Sequence, residues 1–254
     1  MASIEGAGGL NIIVTGASSG LGEAIARVLA GQGHRIVLVA RRAERLNELA
    51  AEINPSGKRV IAASADVSDP AALARVVNRA ESIFGAIGAV VNNAGIGEPE
   101  GMFWTMDAQA VEQVLRVNLL AAIELTRVVL PRMIERNAGH VINIGSVAGR
   151  VASAPVYSAS KYGLRGFTLS LRRELLGTNV SASLVTPGFI RTPMTEGVRG
   201  VPMPGPGAVA NVVARLIEHP RKEVVVPGWY RAVISLEAVF PGLGDALVTR
   251  HRKH

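Results

Sequence analysis

The stretch Asn11-Ile-Ile-Val-Thr15-Gly16-Ala-Ser18-Ser19-Gly20-Leu21-Gly22 runs from an apolar, β-branched segment through a glycine-rich turn into Leu21–Ala30, which has the spacing of an amphipathic helix. Strand, tight turn and helix in that order form the opening unit of a doubly wound α/β sheet. Glycine permits the turn and a close backbone approach, so a pyrophosphate can rest on the helix N-terminus. Gly16, Ser18, Ser19, Gly20, Leu21 and Gly22 are therefore candidate phosphate contacts. The spacing Gly-x-x-x-Gly-x-Gly departs from the common dinucleotide fingerprint, and taken alone it also reads as an ordinary strand-to-helix connection. No Lys-Ser/Thr pair follows, which argues against a nucleoside triphosphate loop.

Further short β-branched runs follow at Arg35–Ala40, Arg59–Ala63, Ala89–Asn92, His140–Ile144, Val180–Thr186 and Glu223–Val226. Helical spacing separates them at Ala43–Ile53, Pro70–Phe84, Asp107–Arg136, Val156–Leu176 and Ala208–His219, with Asp69-Pro70 as a helix start. The alternation predicts an α/β protein of Rossmann type, a seven-stranded, mostly parallel sheet with helices on both faces. No linker divides the 254 residues, so one domain is expected over 1–254, with its core at 10–228 and an apolar C-terminal extension and basic tail at 229–254. Ligands of such sheets bind beyond the carboxyl ends of the strands.

Composition narrows the function classes. The chain has no Cys, which excludes disulfides, thiolate zinc sites and Cys nucleophiles. His34, His140 and His219 lack the spacing of a ligand set and read as structural, so metal-free chemistry is expected. No apolar window is long enough for a membrane span, and Met1–Leu10 lacks the pattern of a signal peptide, so the expected location is the cytoplasm. The net charge of +7 is scattered or gathered in Arg250-His-Arg-Lys-His254, without the aromatic interleaving of a nucleic-acid surface.

The end of the second strand is where an acidic residue commonly holds the ribose hydroxyls of NAD. Ala40-Arg41-Arg42 stands there instead, and a guanidinium pair suits the 2′-phosphate of NADP. NADP(H) is accordingly expected over NAD(H). Asp66-Val67 after the third strand and Asn92-Asn-Ala94-Gly95 after the fourth are, by themselves, also ordinary turn chemistry.

Tyr157 and Lys161 stand one helical turn apart, an arrangement in which an ammonium can favour phenolate over phenol and tune the Tyr as an acid or base. Ser146 precedes them, and Asn118 interrupts an otherwise apolar helix, where a buried amide needs partners.

Thr15–Gly22, Asp66, Asn92-Asn-Ala-Gly95, Asn118, Ser146, Tyr157-x-x-x-Lys161 and Pro187-Gly188 occur in the order of the short-chain dehydrogenase/reductase family of classical type, which the chain resembles from Asn11 to about Gly228. The resemblance implies hydride transfer between a nicotinamide and a ketone or secondary alcohol, with Asn118, Ser146, Tyr157 and Lys161 as catalytic set. It further implies that Asp66 and Val67 meet the adenine, that Asn92, Ala94 and Gly95 form the cofactor floor, and that Pro187, Gly188, Ile190 and Thr192 flank the nicotinamide. Lys161 would bind the nicotinamide ribose, and Asn118 would hold a proton-relay water beside it. A homodimer or homotetramer paired through the long helices would follow.

Two features depart from the pattern. Ser146 precedes Tyr157 by eleven residues where twelve or thirteen are usual, and the lid region Thr192–Ala208 is short and rich in Pro and Gly. Phe103, Trp104, Val151, Phe189, Met194 and Trp229 are candidates for shaping a substrate pocket. An alternative is a 3-oxoacyl-[acyl carrier protein] reductase, though Asn137 and Thr178 occupy positions where such enzymes carry basic groups. A non-catalytic cofactor-binding protein is a further alternative, set against the presence of Ser146, Tyr157 and Lys161. A sugar-nucleotide epimerase shares the Tyr/Lys pair but needs a larger C-terminal domain. The apolar segment Val226–Val248 fits packing on a subunit or roofing a lipophilic pocket better than lying on a membrane.

Overall fold

β-Branched runs at Asn11–Thr15 (β1), Arg35–Ala40 (β2), Val60–Ser64 (β3), Ala89–Asn92 (β4), Gly139–Ile144 (β5), Val180–Pro187 (β6) and Glu223–Val226 (β7) form one seven-stranded sheet in a computed structural model that describes residues 9–240. The strand order is β3-β2-β1-β4-β5-β6-β7 and every pairing is parallel. Order reverses between β1 and β4, which makes their carboxyl ends the crevice where such sheets take ligands.

Both faces are covered, which explains why the strands read as continuous apolar runs rather than as alternating ones. On one face Ile12 and Val14 of β1 pack with Ile25 and Leu29 of α1 (Gly20–Gly31), Leu46 and Leu49 of α2 (Ala43–Ile53), and Val209 and Val213 of α7 (Gly207–Glu218). On the other, Ile13 packs with Leu73 and Val77 of α3 (Pro70–Phe84), Leu125 and Val129 of α5 (Ala121–Glu135), and Leu171 of α6 (Pro155–Glu174). Side chains of successive strand residues point to opposite faces, so a single apolar run supplies two cores. The helix start at Asp69-Pro70 forms as expected, Asp69 accepting from the Ala71 amide at 2.9 Å.

Two elements differ from the sequence expectation beyond a residue or two at the ends. The span 107–136 is broken into α4 (Ala108–Leu115), a π-helical turn (Arg116–Leu120) and α5. The wide turn carries Asn118, whose amide bonds with the Ile96 backbone offset the irregular helix. The C-terminal apolar segment forms α8 (Tyr230–Val239), in which Tyr230 and Ile234 pack on Val225. The remainder of that segment and the basic tail Arg250–His254 lie outside the described residues, as does most of Met1–Leu10.

His140 is a structural histidine, closed to solvent and bonded through Nε2 to Ser183 Oγ at 2.9 Å across β5 and β6. Burial lowers its pKa from 6.5 to about 4. The native state therefore refuses a proton that the unfolded chain accepts, and stability present above pH 6.5 falls as pH drops toward about 4, by roughly 3 kcal/mol in total. Urea unfolding at stepped pH should show this acid-side loss in the parent and a shallower slope in His140→Gln; parallel slopes would show that His140 does not drive it.

Candidate active site

Gly16 and Gly20 adopt φ of +65° and +58°, a left-handed conformation that disfavours any side chain. A Cβ on Gly22 would lie 2.2 Å from the Gly16 carbonyl oxygen, so the first turn of α1 presses directly on the glycine-rich turn. The arrangement is stapled to β4. Thr15 Oγ1 accepts from the Asn93 and Ala94 amides at 2.9 and 3.0 Å, and Asn93 Nδ2 donates to the Thr15 carbonyl at 2.9 Å. Ser19 caps α1 by position only, without a side-chain bond, which leaves first-turn amides available to an anion.

At the end of β2 the two arginines do different things. Arg42 turns back on the glycine-rich turn, donating to Ser18 Oγ at 2.9 Å and Ser19 Oγ at 2.8 Å. Arg41 is exposed, and its guanidinium has no hydrogen-bond partner among the described residues. Asp66 Oδ1 accepts from the Ser68 amide at 2.9 Å and the Ser68 hydroxyl at 2.7 Å. These bonds first, and the nearby charge of Arg41 last, hold its carboxyl below the usual range. Val67 beside it is buried.

The four candidate catalytic residues converge. Lys161 Nζ lies 5.6 Å from the centroid of the Tyr157 ring and donates to the Ile144 carbonyl at 3.1 Å. Burial depresses its pKa to about 8, so the ammonium is charged at neutral pH and loses its charge not far above it. Burial raises the Tyr157 phenol, and a hydrogen bond with Ser146 opposes that rise. Ser146 Oγ also accepts from the Ala148 amide at 3.1 Å. Asn118, 1% exposed, pairs with both backbone groups of Ile96, Oδ1 accepting at 2.8 Å and Nδ2 donating at 2.9 Å. Between them sits Gly95, whose missing Cβ would stand 3.4 Å from Asn118 Oδ1 and 3.7 Å from Lys161 Nζ. The shortened loop after Ser146 opens with a 3-10 turn, Val147–Gly149, pressed so closely on α6 that a Cβ on Gly149 would meet the Lys161 carbonyl at 2.7 Å.

One floor residue is placed otherwise than expected. Asn92 does not face the cleft: its Nδ2 is buried and donates to Asn143 Oδ1 at 2.8 Å and Thr126 Oγ1 at 3.3 Å, behind the sheet. Its neighbour Asn93 touches the glycine-rich turn instead, because adjacent strand residues point to opposite faces. Ala94 and Gly95 remain on the floor. Beyond β6, Pro187 and Ile190 are buried, Ile190 within the core on the α7 side. A Cβ on Gly188 would stand 1.9 Å from the Tyr230 ring, so this glycine seats α8 as well as shaping the cleft. Thr192 lies against the glycine-rich turn, its Cβ 3.5 Å from where a Gly20 Cβ would be, and forms a capping box with Thr195.

Phe103, Trp104, Phe189, Met194 and Trp229 are exposed, Trp104 at 76%, while Val151 packs against Val225, Tyr230 and Ile234. Ser160, which accepts from Asn118 Nδ2 at 3.2 Å, and Glu98 on the loop after β4 were not singled out from the sequence. Asn93 lies inside the Asn92-Asn-Ala-Gly95 run, but Glu98 has no local signal.

The family model described as short chain dehydrogenase matches residues 10–200. A curated relative, ketoacyl reductase HetN of Nostoc sp., is 40% identical over 227 residues, covering 86% of this chain and 78% of its own. Among solved structures, a variant of actinorhodin polyketide ketoreductase with NADPH aligns at TM-score 0.79 and 29% identity, over 87% of this chain and 96% of the other. A short chain dehydrogenase/reductase of Burkholderia phymatum in complex with NAD aligns at TM-score 0.84 and 27% identity, over 93% and 95%.

Proposed function

Because the chain belongs to the short-chain dehydrogenase/reductase family and is an oxidoreductase of that kind, we propose that it is an NADP(H)-dependent reductase of ketones, run in reverse as a secondary alcohol dehydrogenase. The observation that carries this is the convergence of Ser146, Tyr157, Lys161 and Asn118 beside a glycine-rich turn with an unpartnered Arg41 at its rim.

The residues fit a dinucleotide: Gly16 and Gly20 hold the left-handed turn, Gly22 lets α1 start hard against it, Gly95 keeps the floor bare beside Lys161, and the amides opening α1 are uncapped. Ser18, Ser19, Gly20 and Leu21 would hold the pyrophosphate, Arg41 the 2′-phosphate with Arg42 bracing the turn, and Asp66 and Val67 the adenine. Ala94, Gly95, Pro187, Gly188 and Thr192 would border the nicotinamide, with Ile190 supporting them from the core. When bound, NADPH supplies hydride to the carbonyl carbon. Tyr157 donates its phenolic proton to the carbonyl oxygen, and Ser146 hydrogen-bonds that oxygen as it gains charge. The buried Lys161 ammonium stands near enough to stabilise the phenolate left behind, provided it keeps its own proton, which it does below about pH 8. Asn118 holds the floor loop at Ile96 beside the same ammonium.

The exposed aromatic side chains Phe103, Trp104, Phe189 and Trp229 support a lipophilic ketone. A 3-oxoacyl substrate is the second reading, favoured by the name of the Nostoc relative. Against a carrier-bound form, Asn137 and Thr178 are engaged internally, Asn137 Oδ1 with the Asn179 amide at 2.8 Å and Thr178 Oγ1 with the Leu175 carbonyl at 2.8 Å. A panel of aryl and alkyl ketones and 3-oxoacyl thioesters, followed by loss of nicotinamide absorbance with each cofactor, tests the proposal. Turnover of lipophilic ketones with NADPH is expected, and a panel with no substrate among ketones would refute it.

Assembly as a homodimer or homotetramer is part of the same proposal. Leu120 at the π turn, Ile134 on α5 and Tyr162 on α6 are large exposed apolar groups on neighbouring helices. Light scattering should return two or four chain masses at micromolar concentration; a monomer would contradict this.

A further inference from the structure

Helix α6, which carries Tyr157 and Lys161, begins without a cap of its own. Its N-cap residue is Ala154, which has no side-chain acceptor. The orphan amides of Val156 and Tyr157 are taken instead by Glu98, through Oε1 at 3.0 Å and Oε2 at 2.5 Å. Glu98 arrives from the loop after β4, two residues beyond Ile96, whose amide and carbonyl are both held by Asn118. The Tyr157 carbonyl is held too: Ser160 Oγ donates to it at 2.7 Å and accepts from Asn118 Nδ2 at 3.2 Å. Loop, Asn118, Ser160 and Tyr157 thus form a closed ring of bonds in which Glu98 supplies the link to the Tyr157 amide.

We propose that Glu98 is a positioning residue that fixes Tyr157 against the nicotinamide floor, the carboxylate gripping the amide of the residue that donates the proton. The inference rests on Tyr157 as the acid/base. A cap intrinsic to α6 would stabilise the helix equally well but would leave it free to shift relative to the loop. Proton transfer is sensitive to such shifts, a displacement of about 1 Å costing on the order of a hundred-fold.

The test compares Glu98→Ala, Glu98→Gln and the double variant Glu98→Ala/Ala154→Asp, the last supplying a local cap at a position already extended, φ −134° and ψ 118°. In Glu98→Ala, hydrogen exchange at the Val156 and Tyr157 amides of the protein without cofactor should accelerate at least about ten-fold, and kcat should fall about 30- to 100-fold. NADPH affinity by protein fluorescence should change less than about two-fold, since the phosphate contacts lie elsewhere. Gln keeps one acceptor and should recover part of kcat. Ala154→Asp should restore thermal stability and slow exchange, while kcat stays low. Unchanged exchange in Glu98→Ala overturns the proposal whatever Tyr157 does, and so does recovery of full kcat by Ala154→Asp, which would make Glu98 only a cap. Tyr157→Phe is run alongside. If it keeps turnover, the acid/base reading fails, and the catalytic meaning of Glu98 fails with it.

Discussion

Tyr157→Phe should lower kcat by about a thousand-fold or more while leaving the protein folded and able to bind NADPH. The substitution removes only the hydroxyl, and a positioned acid contributes about 10²–10⁴ to the rate. The ring stays, so its contact with Lys161, 5.6 Å from centroid to Nζ, survives. The hydroxyl is also the partner of Ser146, and the bond between them counters the upward push of burial on the phenol. Ser146→Ala should therefore be slower than the parent as well, through loss of an oxyanion donor and through a weaker acid beside it. Stopped-flow absorbance with saturating cofactor separates this from a binding defect, since the bound cofactor is then present and unreacted. Near-normal turnover in a folded Tyr157→Phe protein would contradict the account.

Reversal of cofactor preference is the second large effect expected. Arg41 is exposed and unpartnered, whereas Arg42 is already committed to Ser18 and Ser19. In the proposed reading the 2′-phosphate contact therefore falls to Arg41, while Arg42 braces the turn. A charge-assisted bond is worth about 1.5–3 kcal/mol, so Arg41→Ala should weaken NADPH by roughly ten- to a hundred-fold and leave NADH nearly unchanged. Adding Ala40→Asp places an anion that accepts from ribose hydroxyls and repels phosphate, and the pair should bring the total swing to about a thousand-fold in favour of NADH. Ala40 lies at the buried end of β2, so thermal melting accompanies the affinity measurements. Arg42→Ala should act differently, weakening both cofactors by loosening the turn. Equal affinity of the parent for the two cofactors would sink the assignment, and the solved relative in complex with NAD shows that the fold alone does not decide it.

Much of the architecture could be read because strands buried on both faces leave an unmistakable mark. Ile12, Ile13 and Val14 have no solvent-facing alternative, and the glycine-rich turn sits where the first such run ends. That Tyr157 and Lys161 form a pair was legible for a related reason: one helical turn keeps them on one face, and Lys161 Nζ stands 5.6 Å from the Tyr157 ring centroid. What escaped depends on distances that no local pattern encodes. Asn92 and Asn93 are neighbours of identical chemistry, and only the register of β4 against β5, which sets Asn92 opposite Asn143, decides which one turns from the cleft. The π turn carries Asn118, whose partner Ile96 lies 22 residues earlier. Helix α8 read as an apolar extension because its docking surface, Val225 together with the bare face of Gly188, is made by other elements. Glu98 acts on a helix 58 residues away.

Hydride transfer is read from the deuterium that a lipophilic ketone takes from NADPH carrying deuterium at both C4 positions, with mass spectrometry of the alcohol. One deuterium is expected at the carbinol carbon of the product with the parent protein, and none formed at a comparable rate with Tyr157→Phe. Consumption of the ketone without label in the product, or no transfer to any ketone by a protein that binds NADPH, would contradict the proposed ketone reduction.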